Sequence, residues 1–314
     1  MAQGETKPLR YVTTDDGAML TEPAEALEEV RKYFASVSQR RVTDGDAAPP
    51  WERLGPDPIR YGKTGGPWPP PPPMATAYDR TTFDACLRAL PGKKAPGIDG
   101  VHNEVLRSMP VEFHDALHQM FAHMWTLRRT PDAWKTSLTV LLYKKGDPSR
   151  VANHRPIGLL PVCYRLWTAT ITALMMEFAD SRRVLSAAQE GFRPQRNTAR
   201  QLQRLLMAIE DSKLAGCDLY VLYVDFVNAF GSVDHGRLLQ TLRLQGFPDD
   251  CLEMVRDLYD GAKVVVRTPL GDTAPVENGG RGTVQGDTLS PLLFILAIDP
   301  LLHGSRQGSV GTGF

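Results

Sequence analysis

The sequence is poor in the features that mark several large classes of protein. It holds 4 cysteines in 314 residues (Cys86, Cys163, Cys217 and Cys251), with no Cys-x-x-Cys pair and no zinc spacing. That excludes a disulfide scaffold or a zinc ribbon and points to reduced thiols in an intracellular protein, nuclear or cytoplasmic. No apolar run reaches the ~18 residues of a membrane span. The longest candidate, residues 289–302, is broken by Ser290, Pro291, Asp299 and Pro300. The N-terminus lacks the apolar core of a secretory signal, so secretion is not expected. Net charge is absent as well, with 36 basic against 36 acidic side chains. What is present, 42% hydrophobic and 23% charged residues, is the composition of a globular protein and excludes wholesale disorder.

The overall charge balance conceals a gradient. Residues 1–90 hold 11 basic and 13 acidic side chains, residues 91–216 hold 18 and 11, and residues 217–314 hold 7 and 12. A middle block of net charge +7 suits a phosphate-bearing partner. The acidic block after it suits divalent cations, which take oxygen ligands. Ordinary surface variation gives the same tallies, so charge alone leaves both readings open.

The apolar pattern predicts helices over 22–34, 81–90, 111–127, 161–178, 198–214, 234–244, 249–259 and 289–297. Thr21 is the expected N-cap of the first, and Gly216 the stop of the fifth. In 111–127 the expected core stripe is Phe113, Leu117, Met120, Phe121, Met124 and Leu127. Strands are expected over 137–143, 219–226, 262–267 and 274–278, with 157–160 extended; the last two strands bracket a Pro-Leu-Gly-Asp turn. Helices in runs beside an antiparallel-looking sheet make an α+β fold. Residues 43–75 are rich in Pro, Gly and Asp and read as a polyproline-II linker, a spacer first and an SH3-type ligand second. The division is therefore an N-terminal helix and linker over 1–77 and a larger domain over 78–314.

Two tempting sites fail on their spacing. Gly62-Lys63-Thr64 ends like a phosphate loop, but Asp57 stands where that pattern needs glycine. His114 and His118 stand four apart, as zinc ligands do, but no Glu follows His114 and no further ligand is evident. Solvated histidines are the expectation.

Asp225 ends a hydrophobic run, where a carboxylate is costly to bury without a partner. Alone it reads equally as a Mg²⁺ ligand or as the cap of the next turn. Its surroundings decide. Tyr223-Val-Asp-Phe-Val-Asn-Ala-Phe230, with Gly-Ser-Val-Asp-His235 after it, resembles the first palm motif of reverse transcriptases. Arg281-Gly-Thr-Val-Gln-Gly-Asp-Thr-Leu-Ser-Pro-Leu-Leu-Phe294 resembles the next one. Gly92-Lys-Lys-Ala-Pro-Gly-Ile-Asp-Gly100 with Asn103-Glu-Val-Leu106, Asn153-His-Arg-Pro-Ile-Gly-Leu-Leu160 and Gln189-Glu-Gly-Phe-Arg-Pro194 are similar to blocks of non-LTR (LINE-type) retrotransposon enzymes. The blocks stand in the family's order over residues 80–302.

The resemblance implies a right-hand polymerase fold of fingers and partial palm. It implies nucleotidyl transfer from a dNTP to a primer 3′-hydroxyl on an RNA template, with two Mg²⁺ or Mn²⁺ ions. Asp225 would be the catalytic carboxylate and a metal ligand, with the Phe226 carbonyl oxygen as another. Lys144 or Lys145, Arg155, Phe230, Gln285 and Gly286 would form the dNTP site. Phe230 would be the sugar gate whose ring excludes a ribose 2′-hydroxyl, with plain core packing as the alternative. Arg193, Arg196 and Arg200 would hold the template–primer backbone, or form a solvated helix start.

This chain departs from the family pattern at Asn228 (usually Lys), Gly231 (usually Asp), Val284 (often Arg) and Thr288 (often Pro). The family's third palm motif, aromatic-x-Asp-Asp, has no counterpart. The only Asp-Asp pairs are Asp15-Asp16 and Asp249-Asp250, neither in strand–turn–strand context. The expectation is therefore a reverse transcriptase fragment without thumb or endonuclease, inactive alone. The alternative is a non-catalytic nucleic-acid-binding remnant of such a polymerase.

Overall fold

The structure, a computed structural model, describes residues 8–39, 70–226, 228–284 and 286–307. A short hairpin of β1 (Val12–Thr13) and β2 (Met19–Leu20) leads into α1 (Pro23–Ser38). After residue 70 come α2 (Arg80–Ala89), α3 (Asn103–Ser108), α4 (Val111–Leu127), β3 (Thr136–Tyr143) and β4 (His154–Leu159). Two longer helices follow, α5 (Val162–Ser181) and α6 (Thr198–Ala215). The chain continues through α7 (His235–Leu244), α8 (Asp249–Tyr259), β5 (Lys263–Thr268), β6 (Gly271–Asp272), β7 (Val276–Glu277) and α9 (Ser290–Gln307). The fold mixes helix and sheet, as composition and patterning implied. Among the described residues, no helix is long and apolar enough to cross a membrane.

Local chemistry explains several boundaries. Asp79, Asn197 and Asp234 each accept a hydrogen bond from the amide three residues on, capping α2, α6 and α7. Gly216, at φ +65°, closes α6 as expected. Thr21 is not the cap of α1: Glu22 takes that position without a side-chain bond, and Pro23 presets the first turn. α9 runs past the expected end at 297 and through Pro300.

The sheet has the order β4-β3-β5-β6, with β7 also on β5. β3 and β4 are antiparallel, from Leu138 opposite Leu159 to Tyr143 opposite His154. β3 and β5 are parallel, Leu138 beside Val265. One sheet face carries the N-terminal hairpin and α1, where Leu9, Val12, Ala26 and Val30 bury against Val151 and Val266. The main core is helical. α5, apolar on nearly every side, runs through it, and Trp167 meets Phe121 at 5.0 Å and Trp125 at 5.5 Å between ring centroids. The Trp167 indole N–H donates to Thr130 Oγ1 at 3.2 Å, so its one polar atom is satisfied in the interior. Lys135 and Asp257, both buried, pair at 3.0 Å and pin the start of β3 to the end of α8.

Several expectations need correction. Residues 219–226 are not a strand: the segment is extended but has no ladder partner among the described residues, and Tyr220, Leu222 and Tyr223 are 90%, 87% and 79% exposed. β-branched and aromatic content favours a strand only when a neighbour completes the hydrogen bonds. The stripe of α4 is narrower than expected: Phe113 and Leu127 face solvent, and Trp125 is buried instead. The histidines pack rather than float. His114 Nε2 lies 2.8 Å from the Leu106 carbonyl, and His118 stacks on Tyr78. Asp250 accepts the amides of Met74 and Ala75, tying that segment to the start of α8. The phosphate-loop look-alike and most of the Pro-rich segment lie outside the described residues.

Candidate functional site

Two stretches distant in sequence run side by side and build the site. Asp234 and Arg281 form a bridge, Gly282 N donates to the Val233 carbonyl at 2.8 Å, and Thr283 N donates to the Phe230 carbonyl at 2.9 Å. This zipper brings the Phe230 turn beside the loop that enters α9. Gly286 then abuts β4. It sits at φ +102°, and an added Cβ would overlap the Gly158 carbonyl oxygen, so the position needs glycine for both conformation and approach.

The result is a cleft of about 310 Å³ lined by Phe230, Gly286, Asp287, Ser290 and Pro291 on one side and by Pro156 and Ile157 of β4 on the other. Phe230 and Gly286, chosen from sequence, meet there. Arg155 neighbours the cleft in β4, where it pairs with Leu142 across the ladder. Lys144 follows the end of β3, its amide donating to the Asn153 carbonyl at 2.9 Å. The ladder alternation puts Lys144 and Arg155 on one exposed face of this hairpin. Lys145, also exposed, follows in the turn. Gln285 lies outside the described residues.

Asp225 is solvent-exposed at the end of the 219–226 segment, and the ring of Phe226 rests edge-on against Phe294 at 5.8 Å. Among the described residues no group of three His, Cys, Asp or Glu side chains gathers as a metal site would. One carboxylate does not hold two divalent ions, each of which takes about six oxygen ligands. The described residues alone therefore do not fit the two-ion centre that the resemblance implies.

The three arginines have separate fates. Arg193 is committed to Asp180 at 2.9 Å and to the Ser186 carbonyl at 3.2 Å. Arg196 and Arg204 each reach buried Glu190 at 3.0 Å, with Arg200 at 3.8 Å. Arg204 was missed from sequence, although its spacing of four from Arg200 puts both on one helix face. Two of the family departures are explained by contact: the Asn228 amide lies where a Cβ on residue 231 would project, so Asn228 and Gly231 are mutually adapted.

Asp287 was also missed. It is buried, its Oδ1 has no hydrogen-bond partner, and burial pushes its carboxyl up to about 6 against stabilising bonds from Thr168 and the amides of Leu289 and Thr288. Because the folded value lies above the ordinary one, the fold holds a proton that the unfolded chain releases. Stability is then fully present below about pH 4 and declines as pH rises towards 6 and beyond. The cost at neutral pH is on the order of 2–3 kcal/mol. Asp287→Asn is expected to raise the melting temperature by roughly 5 °C at pH 7.5 and to leave it unchanged at pH 4. Equal shifts at both pH values would remove titration as the cause.

Residues 143–311, a little over half of the chain, match the family described as "Reverse transcriptase (RNA-dependent DNA polymerase)". The chain belongs to the reverse transcriptase family. It is 28% identical over 213 residues to a probable RNA-directed DNA polymerase from transposon BS of Drosophila melanogaster, covering 66% of this chain and 23% of that protein. It is 29% identical over 224 residues to the RNA-directed DNA polymerase from mobile element jockey of the same species, covering 69% of this chain and 24% of that protein. A Transposon TX1 149 kDa protein of Xenopus laevis aligns with 98% of the chain at 24% identity, over 23% of its own length. The chain thus spans about a quarter of the length of these relatives. The reverse transcriptase family read from the sequence blocks is what the family match shows, and the cleft sits between the two blocks that carry Phe230 and Gly286.

Proposed function

We propose that these residues form the fingers and part of the palm of a retrotransposon RNA-directed DNA polymerase. They would receive a dNTP in the Phe230–Gly286 cleft and hold an RNA template and DNA primer beside it. The observation that carries the reading is the cleft itself. It joins Phe230 and Gly286, about 55 residues apart in sequence, to the β4 strand that bears Arg155, a placement that chain proximity alone would not produce.

In this arrangement Arg155 and Lys144 offer fixed positive charge to a triphosphate, Arg through a bidentate fork. Phe230 presents an apolar ring to the sugar. Gly286 leaves room for the backbone to approach the incoming nucleotide. Arg200 and Arg204, about half exposed around Glu190, are the better placed of the α6 arginines for a phosphate backbone. Asp225 would supply one carboxylate to a divalent-ion site, and its other ligands would come from outside the described residues. Mg²⁺ or Mn²⁺, when bound there, would activate the primer hydroxyl and neutralise charge on the phosphates.

The test is extension of a DNA primer on an RNA template by the element's polymerase that carries this chain, with and without chelator. Extension that Mg²⁺ supports and chelation abolishes is expected. Salt-sensitive binding of template–primer without any extension would favour the non-catalytic binding module instead.

A further inference from the structure

Phe192 has an unusual combination of properties. It is a large apolar residue, 57% exposed, on a loop rather than in the core. Its backbone is left-handed, at φ +55°, a conformation that costs a bulky L-residue free energy and that glycine adopts without strain. Gly191 stands next to it, yet the strained position itself is phenylalanine.

The surrounding loop over-determines this geometry. Ser186 N donates to buried Asp299 of α9 at 2.8 Å, Gly191 N donates to Gln189 Oε1 at 3.0 Å, and Arg193 and Arg196 staple the far side to Asp180 and Glu190. Strain held in place by such a frame is a mark of a positioned side chain. The ring it positions lies edge-on to Phe230, with centroids 6.0 Å apart. Phe230 in turn tilts against Phe294 at 5.3 Å. The ring at the cleft wall is therefore in contact with two others, one from the α9 core and one from the strained loop.

We propose that Phe192 is a positioning residue for sugar selection: its ring fixes the rotamer of Phe230 against the C2′ side of an incoming deoxynucleotide. This rests on the reading of Phe230 as the sugar gate. Without the Phe192 ring, Phe230 gains freedom to swing away, and the space opened accepts a ribose 2′-hydroxyl. The loop thus contributes to choosing dNTPs over rNTPs without touching the nucleotide itself.

The experiment measures kcat and KM for matched dNTP and rNTP incorporation by the intact polymerase and by its Phe192→Ala, Phe192→Gly, Phe192→Tyr and Phe230→Ala variants. The dNTP/rNTP ratio of kcat/KM is expected to fall roughly three- to tenfold in Phe192→Ala and Phe192→Gly, the scale of one aromatic pair. Most of the fall should come from improved rNTP use, with Phe192→Tyr restoring the ratio. Phe192→Gly also relieves the left-handed backbone, so its melting temperature should hold or rise while discrimination falls. A merely structural role predicts the opposite: a lower melting temperature and equal losses for both nucleotides. An unchanged ratio in Phe192→Ala and Phe192→Gly, with a reduced ratio in Phe230→Ala, overturns the role of Phe192 and leaves the gate standing. An unchanged ratio in Phe230→Ala overturns the gate reading, and the role of Phe192 with it.

Discussion

Asp225→Asn is expected to lower primer extension by the element's polymerase by roughly a thousandfold or more, the scale of removing a metal-holding charge from phosphoryl transfer. The substitution keeps size and shape and deletes only the charge. Asp225 is exposed, so the fold should register the change by no more than about 0.5 kcal/mol. Loss of extension with an unchanged melting temperature would separate chemistry from folding. Template–primer binding, which the arginines of α6 would serve, should survive. Extension within tenfold of the parent would remove Asp225 from the metal reading and reopen its role as the cap of the following turn.

Trp167→Ala is expected to destabilise the domain by about 3–5 kcal/mol, the range for deleting a fully buried large aromatic. Trp167 has no accessible surface and joins α5 to α4 and the turn after it through Phe121, Trp125 and the Thr130 hydroxyl. Truncation empties that junction and strips Thr130 Oγ1 of its donor. The denaturation midpoint should fall sharply with little change in slope. Trp167→Phe should cost much less, since the ring contacts persist and only the N–H and part of the volume go. Equal costs for the two variants would mean that the hydrogen bond to Thr130, rather than packing, carries the stability.

Helices were the most legible part of the sequence because their signals are local. The stop at Gly216 is chemistry within one turn, and α4 and α8 were placed to the residue by spacing alone, whereas the cap expected at Thr21 fell to Glu22. The reversal after β5 was legible for the same reason, although Gly271 and Asp272, read as part of the turn, form the short strand β6. Residues 219–226 mark the limit: their composition is that of a strand, but a strand depends on a partner that its own residues do not encode. The parallel pairing of β3 with β5 was invisible on similar grounds. At the site, motif resemblance named Phe230 and Gly286, and the structure places both in one cleft. No motif announced that Phe192 would turn its ring onto Phe230, because that contact arises from a left-handed backbone and a frame of ion pairs. Nor did sequence foretell that Arg193 would be consumed by Asp180, since an arginine beside a loop looks the same whether it is stapled or free.

The parallel β3–β5 ladder has a consequence for synthesis on the ribosome. Its two strands are far apart in the chain, as the 122-residue separation of the adjoining Lys135–Asp257 pair shows. The β3–β4 hairpin emerges first and must wait for α5 through α8 before its second edge is covered. At translation speeds of about 5–20 residues per second, that interval lasts on the order of ten seconds. For that time Leu138 and Val140 present an unpaired apolar edge, the kind that seeks another chain. Nascent chains halted between residues 160 and 260 should therefore be the most chaperone-dependent of any length, and release should follow once β5 docks.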